Sequence, residues 1–115
     1  MAENPFAPCM LHEHDGSFSL TFTQFDTNGA DAVFEEAGYD GGGYAWEGVV
    51  RALVQMKAPK LKKKLSYDPE SSMFCAVSKD RDALVQVAEL IRTAVADPAR
   101  LREAIANADP DIMEG

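Results

Sequence analysis

The sequence has few of the features that mark whole classes of protein. No apolar run approaches the roughly 18–20 residues that span a bilayer, so a transmembrane helix is not expected. The N-terminus has no basic residue before its first apolar stretch, which argues against a secretory signal. The two cysteines, Cys9 and Cys75, lie in apolar stretches, and we expect them to be buried thiols of a cytoplasmic protein.

Basic residues are scarce and unevenly placed. The chain has 11 Lys and Arg against 19 Asp and Glu, for a net charge of −8. Five of the basic residues form one run, Lys57, Lys60, Lys62, Lys63 and Lys64. The acidic remainder repels phosphate backbones, so we expect no nucleic-acid partner. The same charge would attract a basic protein.

The chain also lacks a recognisable catalytic apparatus. Neither cysteine precedes a helix start that would lower its pKa, and the histidines sit together in one turn region. The glycines at 41–43 lack the Rossmann spacing and the lysine and hydroxyl of a P-loop. Because Asp40 and Glu47 flank them, we interpret the glycines as a turn between helices that needs positive φ. We therefore expect no enzyme activity and no cofactor.

Cys9, His12 and His14 have a spacing that resembles a metal site. A zinc site would need a fourth ligand and a closed geometry. On a strand, His12 and His14 would share one face while Cys9 would point to the other. The pattern therefore favours a hairpin with exposed histidines, and no metal is predicted.

What is present is typical of one globular domain. The chain has 115 residues, of which 46% are hydrophobic and 26% charged. These values predict a single domain over residues 1–115, with frayed tails at 1–8 and 109–115.

The N-terminal half reads as a hairpin followed by two helices. Apolar and hydroxyl residues alternate over 17–23, and Asp15-Gly16 is a turn pair, which predicts a hairpin over residues 10–25. Asn28 is the expected N-cap of a helix that ends at Gly38. A second helix is predicted over residues 45–57, before Pro59.

The C-terminal half repeats this order. Between residues 61 and 67, the residues Leu61, Lys63, Leu65 and Tyr67 alternate with lysines and a serine, which predicts a half-exposed edge strand that its lysines protect from aggregation. Anion or membrane contact is the alternative role for the lysines. Residues 73–77 are apolar at nearly every position, as in a central strand. Asp80 and Asp97 are expected to cap two further helices.

The element order ββααββαα predicts an α+β fold. Four short strands would form an antiparallel sheet, with the helices packed on one face. The hydroxyl-rich face of the first hairpin would then be open to solvent or to a partner.

Aromatic and acidic residues cluster around the glycines. Tyr39, Tyr44 and Trp46 lie close to Asp40 and Glu47, a combination that protein-binding hot spots use. Trp46 also fits the apolar stripe of the second helix, so we assign it to the core.

The same stretch carries a family resemblance. Residues 38–49, GYDGGGYAWEGV, resemble the most distinctive segment of the immunity protein 51 family of bacterial polymorphic toxin systems. Segments 16–20, 68–74 and 80–98 are similar in order and spacing, so the resemblance spans about residues 16–105. The triple glycine and the lysine run depart from the family pattern. The resemblance implies an inhibitor that holds a toxin domain inactive inside the producing cell, with no catalytic residues.

The residues and the resemblance agree on a protein partner. We expect a cognate toxin with a basic cleft, bound one to one. The expected contact residues are the acidic and aromatic side chains between positions 31 and 47: Asp31, Glu35, Glu36, Asp40, Tyr44 and Glu47. The alternatives are an acidic chaperone or adaptor of a secretion or assembly system and, from another class, a small-molecule-binding domain.

Overall fold

The computed structural model describes residues 6–114. The strands are β1 (Met10–His14), β2 (Ser17–Phe22), β3 (Ser66–Tyr67) and β4 (Phe74–Ser78). The α-helices are α1 (Ala30–Glu36), α2 (Gly43–Lys57), α3 (Arg81–Ala96), α4 (Pro98–Asn107) and α5 (Pro110–Met113). Two 3₁₀ helices, Thr27–Gly29 and Pro59–Lys64, precede α1 and β3. No helix in this range is long and apolar enough to cross a membrane.

The four strands form one antiparallel sheet in the order β1-β2-β4-β3, which confirms the predicted fold class. Leu20 lies opposite Ala76, and Phe22 lies opposite Phe74. These four side chains are almost completely buried and belong to the core shared with the helices. Burying a large apolar side chain stabilises the fold by about 1.5–3 kcal/mol, so this face holds the layers together.

The opposite face of the sheet carries the hydroxyl side chains. Ser19 and Thr21 alternate with the buried residues of β2, and their partners on β4 are Val77 and Cys75. Ser19, Thr21 and Val77 are half-buried on this face, whereas Cys75 is buried, at 7% exposed. We call this surface the open sheet face. Its exposure follows from the period of two along β2, as the sequence predicted.

Asn28 does not cap α1, contrary to the prediction. Gly29 occupies the N-cap position, and Asn28 adopts a left-handed conformation with φ of 55°. Its Nδ2 donates a hydrogen bond to the carbonyl oxygen of Val95 at 2.9 Å. The asparagine therefore ties the start of α1 to the end of α3, a long-range contact that local capping rules do not contain.

The predicted caps of the later helices are confirmed. The Asp80 carboxylate accepts a hydrogen bond from the backbone N–H of Asp82, which satisfies a free donor at the start of α3. Asp97 accepts from the N–H of Ala99 in the same way, and Pro98 begins α4.

The lysine run is helical, and the prediction of a strand there is wrong. Pro59–Lys64 form a 3₁₀ helix, and only Ser66–Tyr67 pair as the edge strand β3. Leu61 and Leu65 are four residues apart, a spacing that fits a helical period as well as an alternating one. Pro59 and the burial of Leu61 favour the helix.

The C-terminal segment is more ordered than expected. Residues 110–113 form α5, which the Asp109 carboxylate caps by accepting from the N–H of Asp111 at 2.9 Å. Met113 is only 4% exposed because it fills the space beside Gly48, where a side chain is missing. The predicted N-terminal tail falls largely on residues 1–5, which lie outside the described range.

Both cysteines are buried, as predicted. Burial raises the pKa of the Cys9 thiol from 9.0 to about 12. Between pH 9.0 and about 12, the Cys9 thiol therefore stays protonated in the folded protein, whereas it is deprotonated in the unfolded chain.

This difference predicts a loss of stability at alkaline pH. The contribution of Cys9 is fully present below pH 9.0 and falls as pH rises toward 12. In that pH range, the contribution of Cys9 to the free energy of unfolding should drop by about 1.4 kcal/mol for each pH unit. Urea titrations of the wild type and of Cys9→Ala measure it: the stability difference between them should shrink from pH 9 upward. A difference that is constant with pH would contradict the prediction.

Candidate functional site

The glycines before α2 allow the chain to pass very close to the turn between β3 and β4. A Cβ atom on Gly43 would overlap the carbonyl oxygens of Glu70 and Met73. The backbone N–H of Gly43 donates a hydrogen bond to the carbonyl oxygen of Ser71 at 3.1 Å. A Cβ on Gly42 would lie 2.5 Å from the same Ser71 oxygen. Of the three glycines only Gly41 has positive φ, at 76°. The prediction of a turn with positive φ is thus correct for one glycine, and close backbone contact explains the other two.

Trp46 lies in the core, as predicted. Its side chain is 0% exposed and packs edge-to-face on Phe22, with ring centroids 4.9 Å apart. The Phe34 ring lies 5.3 Å from it on another side. Trp46 therefore fixes α2 against both the sheet and α1, and it is not available to a partner.

The same segment borders an open cavity of about 450 Å³. We call it the glycine cleft. Its polar lining comes from the segment before α2, the first turn of α2, the β3–β4 turn and the residue after α5: Tyr39, Asp40, Tyr44, Ser71 and Glu114. Tyr44 is 38% exposed, one of the few large apolar side chains that reach the surface.

The glycine cleft is acidic and aromatic. Asp40 and Glu114 are exposed, and neither forms an ion pair within residues 6–114. Tyr39 and Tyr44 line the same cavity as these two acids. Carboxylates attract cationic groups, and cationic groups also pack against the faces of tyrosine rings. The cleft therefore suits lysine or arginine side chains.

The acidic residues of α1 lie on a separate surface. Asp31 and Glu35 are exposed, and neither forms an ion pair within the described range. Glu36 pairs with Arg102 of α4 at 3.1 Å and borders a smaller cavity of about 220 Å³. The structure therefore does not bring the α1 acids into the glycine cleft.

Glu47 is engaged by its own helix. Its carboxylate accepts from Arg51 Nε at 2.7 Å, and its side chain is only 12% exposed. The Arg51 guanidinium in turn lies over the Tyr67 ring, 4.4 Å from the centroid. This pairing neutralises Glu47 and attaches α2 to β3, so the residue contributes less to the charged surface than the sequence suggested.

A comparison with protein families decides the relationship. The immunity protein 51 family model matches residues 9–110. The chain belongs to this family. Its members are typically non-catalytic, and membership implies neutralisation of a cognate toxin. No curated protein and no solved structure matches the chain.

The immunity family match includes most of the glycine cleft. Tyr39, Asp40, Tyr44 and Ser71 lie within it, whereas Glu114 lies beyond residue 110. Sequence reasoning missed both Ser71 and Glu114. Ser71 lies in segment 68–74, which the sequence connects only with the family resemblance, and Glu114 lies in the expected C-terminal tail. Asp109-Pro110 was the available signal, because Asp-Pro commonly starts a helix.

The two histidines occupy the open sheet face. His12 lies opposite Ser19, and its Nε2 is 3.2 Å from Thr21 Oγ1. The His14 ring is on the same face, 6.4 Å from that of His12, while Cys9 is buried in the core. The predicted separation of Cys9 from the histidines is confirmed. The range 6–114 contains no cluster of three or more His, Cys, Asp or Glu that could hold a metal.

Proposed function

We propose that this immunity protein neutralises its toxin by binding it directly through the glycine cleft. The observation that carries the proposal is the cleft itself: buried glycines position an exposed tyrosine and two carboxylates without ion pairs around one cavity. These side chains hold no nucleophile with a paired base, which fits inhibition by occupancy and not by chemistry.

Charge supports a toxin with a basic surface. The chain carries a net charge of −8, and Asp31, Glu35 and Asp40 form no ion pairs within residues 6–114. Unpaired surface carboxylates draw a positively charged partner at long range and raise the rate of encounter. A basic cleft on the toxin, of the kind that nucleases use for phosphates, fits such a surface. The proposed meeting place is the cytoplasm of the producing cell.

Tyr44 is the proposed anchor of the complex. Tyrosine combines a large apolar ring with a hydroxyl, and interface hot spots are enriched in it. Its Cα is fixed in the first turn of α2, next to the close contacts of Gly43. An anchor held on a rigid element loses little entropy on binding, which slows release.

The proposed contact residues therefore differ in weight. Asp40 and Tyr44 form the centre in the glycine cleft, and Asp31 and Glu35, on the separate surface of α1, add long-range attraction for a basic partner. Glu36 and Glu47 stay in the proposed surface, but each must first share its carboxylate with an arginine. The exposed pair of Glu36 with Arg102 contributes only about 0–1 kcal/mol, whereas Glu47 is largely buried in its pair with Arg51.

Replacing both Asp40 and Tyr44 with alanine is expected to weaken toxin binding by about 100-fold, since two hot-spot side chains are lost. The partner is first captured from the native cell with tagged wild-type protein and identified. Its affinity for each variant is then measured by calorimetry, and protection is scored by growth of cells that express it.

Glu13→Ala is the matched control. Glu13 is an exposed acid opposite Phe18, which pairs with Ser78 at the far end of β4 from Ser71. It should retain wild-type affinity. Full protection by a folded Asp40→Ala/Tyr44→Ala protein would refute the placement of the binding site in the glycine cleft.

A further inference from the structure

A second cavity lies at the other end of β4. It has a volume of about 480 Å³ and joins the residues after β4 to the lysine helix and to the starts of β2 and β3. We call it the lysine pocket. Lysine and serine side chains dominate its lining: Ser17, Lys63, Lys64, Ser66, Ser78 and Lys79.

The lysine pocket is positively charged in a strongly acidic protein. Lys64 Nζ lies 2.8 Å from Asp80 Oδ2, and this hydrogen bond raises the pKa of Lys64 while lowering that of Asp80. Lys63 and Lys79 form no ion pair within the described range. Three lysines and one carboxylate therefore line the pocket, and the negative charge of Asp82 also raises the pKa of Lys64. The lining keeps a net positive charge, which an anionic ligand would balance.

The pocket continues onto the open sheet face. Ser17, Ser66 and Val77 line it, and all three have the same orientation in the sheet as Ser19 and Thr21. Four strands give this face a width of roughly 14 Å. Hydroxyl groups along the face can donate to a carboxylate or to a backbone carbonyl. The surface is therefore wide enough for an extended polypeptide segment, and it is larger than a site for a single small anion needs to be.

The lysine pocket and the glycine cleft are separated by the length of β4. Ser71 of the cleft precedes Phe74, where β4 begins, and Lys79 of the pocket follows Ser78, where it ends. Roughly 14 Å of strand lies between them. Both surfaces can therefore be occupied at the same time, by groups of opposite charge.

We propose that the lysine pocket and the adjoining open sheet face form a second docking surface, which binds an extended, carboxylate-rich segment of a protein. Charge complementarity supports the partner, because acidic side chains match the lysines and are repelled by the remainder of this acidic chain. The serine and threonine hydroxyls on the face supply hydrogen bonds along the segment. The proposal does not depend on the glycine cleft, which lies at the other end of β4.

The test uses the full chain and a fluorescently labelled peptide of about eight glutamates, long enough to cross the sheet. Anisotropy should show binding that weakens as salt concentration rises. The variant Lys63→Gln/Lys79→Gln should bind the peptide about tenfold more weakly, since it removes two of the three charges. A peptide of glycine and serine of equal length should show no binding.

Lys57→Gln/Lys60→Gln is the matched control. These two lysines are exposed and belong to the same run, but they do not line the pocket, so peptide affinity should be unchanged. Equal losses in both double variants would mean diffuse attraction and would overturn the proposal. Saturation by inorganic phosphate without any peptide binding would overturn it in favour of a small-anion site. If the protein formed a salt-sensitive dimer that Lys63→Gln abolished, the surface would bind a second copy of this chain, and the proposal would be overturned.

Discussion

Replacing Gly43 with alanine is expected to destabilise the fold by about 3 kcal/mol or more, because overpacking against rigid backbone cannot be relieved by side-chain rotation. The new Cβ would overlap the carbonyl oxygens of both Glu70 and Met73. Either the β3–β4 turn or the start of α2 must then move. The loss occurs although alanine is a better helix former than glycine by about 1 kcal/mol. Urea denaturation followed by circular dichroism measures the change.

Gly38→Ala is the matched control for this effect. Gly38 has φ of +88° but nothing within 4 Å of its Cβ position, so only backbone strain opposes the substitution. A single left-handed alanine costs about 1–2 kcal/mol. If Gly43→Ala lowered the free energy of unfolding by no more than Gly38→Ala does, the close contact between α2 and the β3–β4 turn would not be the reason for glycine at position 43. The Gly43 loss should also distort the glycine cleft and reduce toxin protection.

Trp46→Ala is expected to lower the free energy of unfolding by about 3–5 kcal/mol, the range for removing a large aromatic side chain from a core. The indole is in contact with Phe22 and Phe34, so its removal leaves a cavity between α2, β2 and α1. Whole domains are stable by only about 5–15 kcal/mol, so the variant should unfold well below the wild-type midpoint. Thermal denaturation followed by circular dichroism gives the shift.

Trp46→Phe separates packing from polarity at this position. The indole Nε1 is buried and has no hydrogen-bond partner within the described residues. A phenylalanine keeps most of the ring contacts and removes that unpaired donor, so the loss should be smaller than for alanine. A phenylalanine variant as unstable as the alanine variant would show that indole shape dominates the contribution of this residue.

The fold class was predictable because the strongest sequence signals agree with the tertiary structure. The alternation along β2 places Leu20 and Phe22 in the core, and Asp80 and Asp97 cap the helices they precede. In each case the local pattern and the burial select the same conformation. The likeness of residues 38–49 to the immunity family also held, since the family match spans 9–110.

Three of the differences share a physical cause, a contact distant in sequence, whereas the lysine run was misassigned because the spacing of Leu61 and Leu65 fits a helix as well as a strand. Asn28 bonds to Val95, 67 residues away, and so does not cap α1. Met113 is buried because Gly48 leaves room for it. Glu36 was expected among the contact residues, and Arg102, 66 residues downstream, pairs with it. Local periodicity carries no information about such partners.

The candidate site was predicted only in part for the same reason. Asp40 and Tyr44 do meet at one cavity, yet Ser71 and Glu114 join them from elements far along the chain. The α1 acids lie apart from that cavity. A cluster of residues in sequence identified the segment, whereas its neighbours could be found only from the packing of the β3–β4 turn and α5.

The burial of the sole tryptophan has a practical consequence. An indole without water contact emits at short wavelength, so native protein should fluoresce blue and shift to the red when the core opens. A toxin that only fills the cleft at the start of α2 leaves this emission in place. A partner that separated α2 from the sheet would shift this emission to longer wavelength. The fluorescence spectrum can therefore distinguish a ligand that binds on the surface from one that rearranges the core.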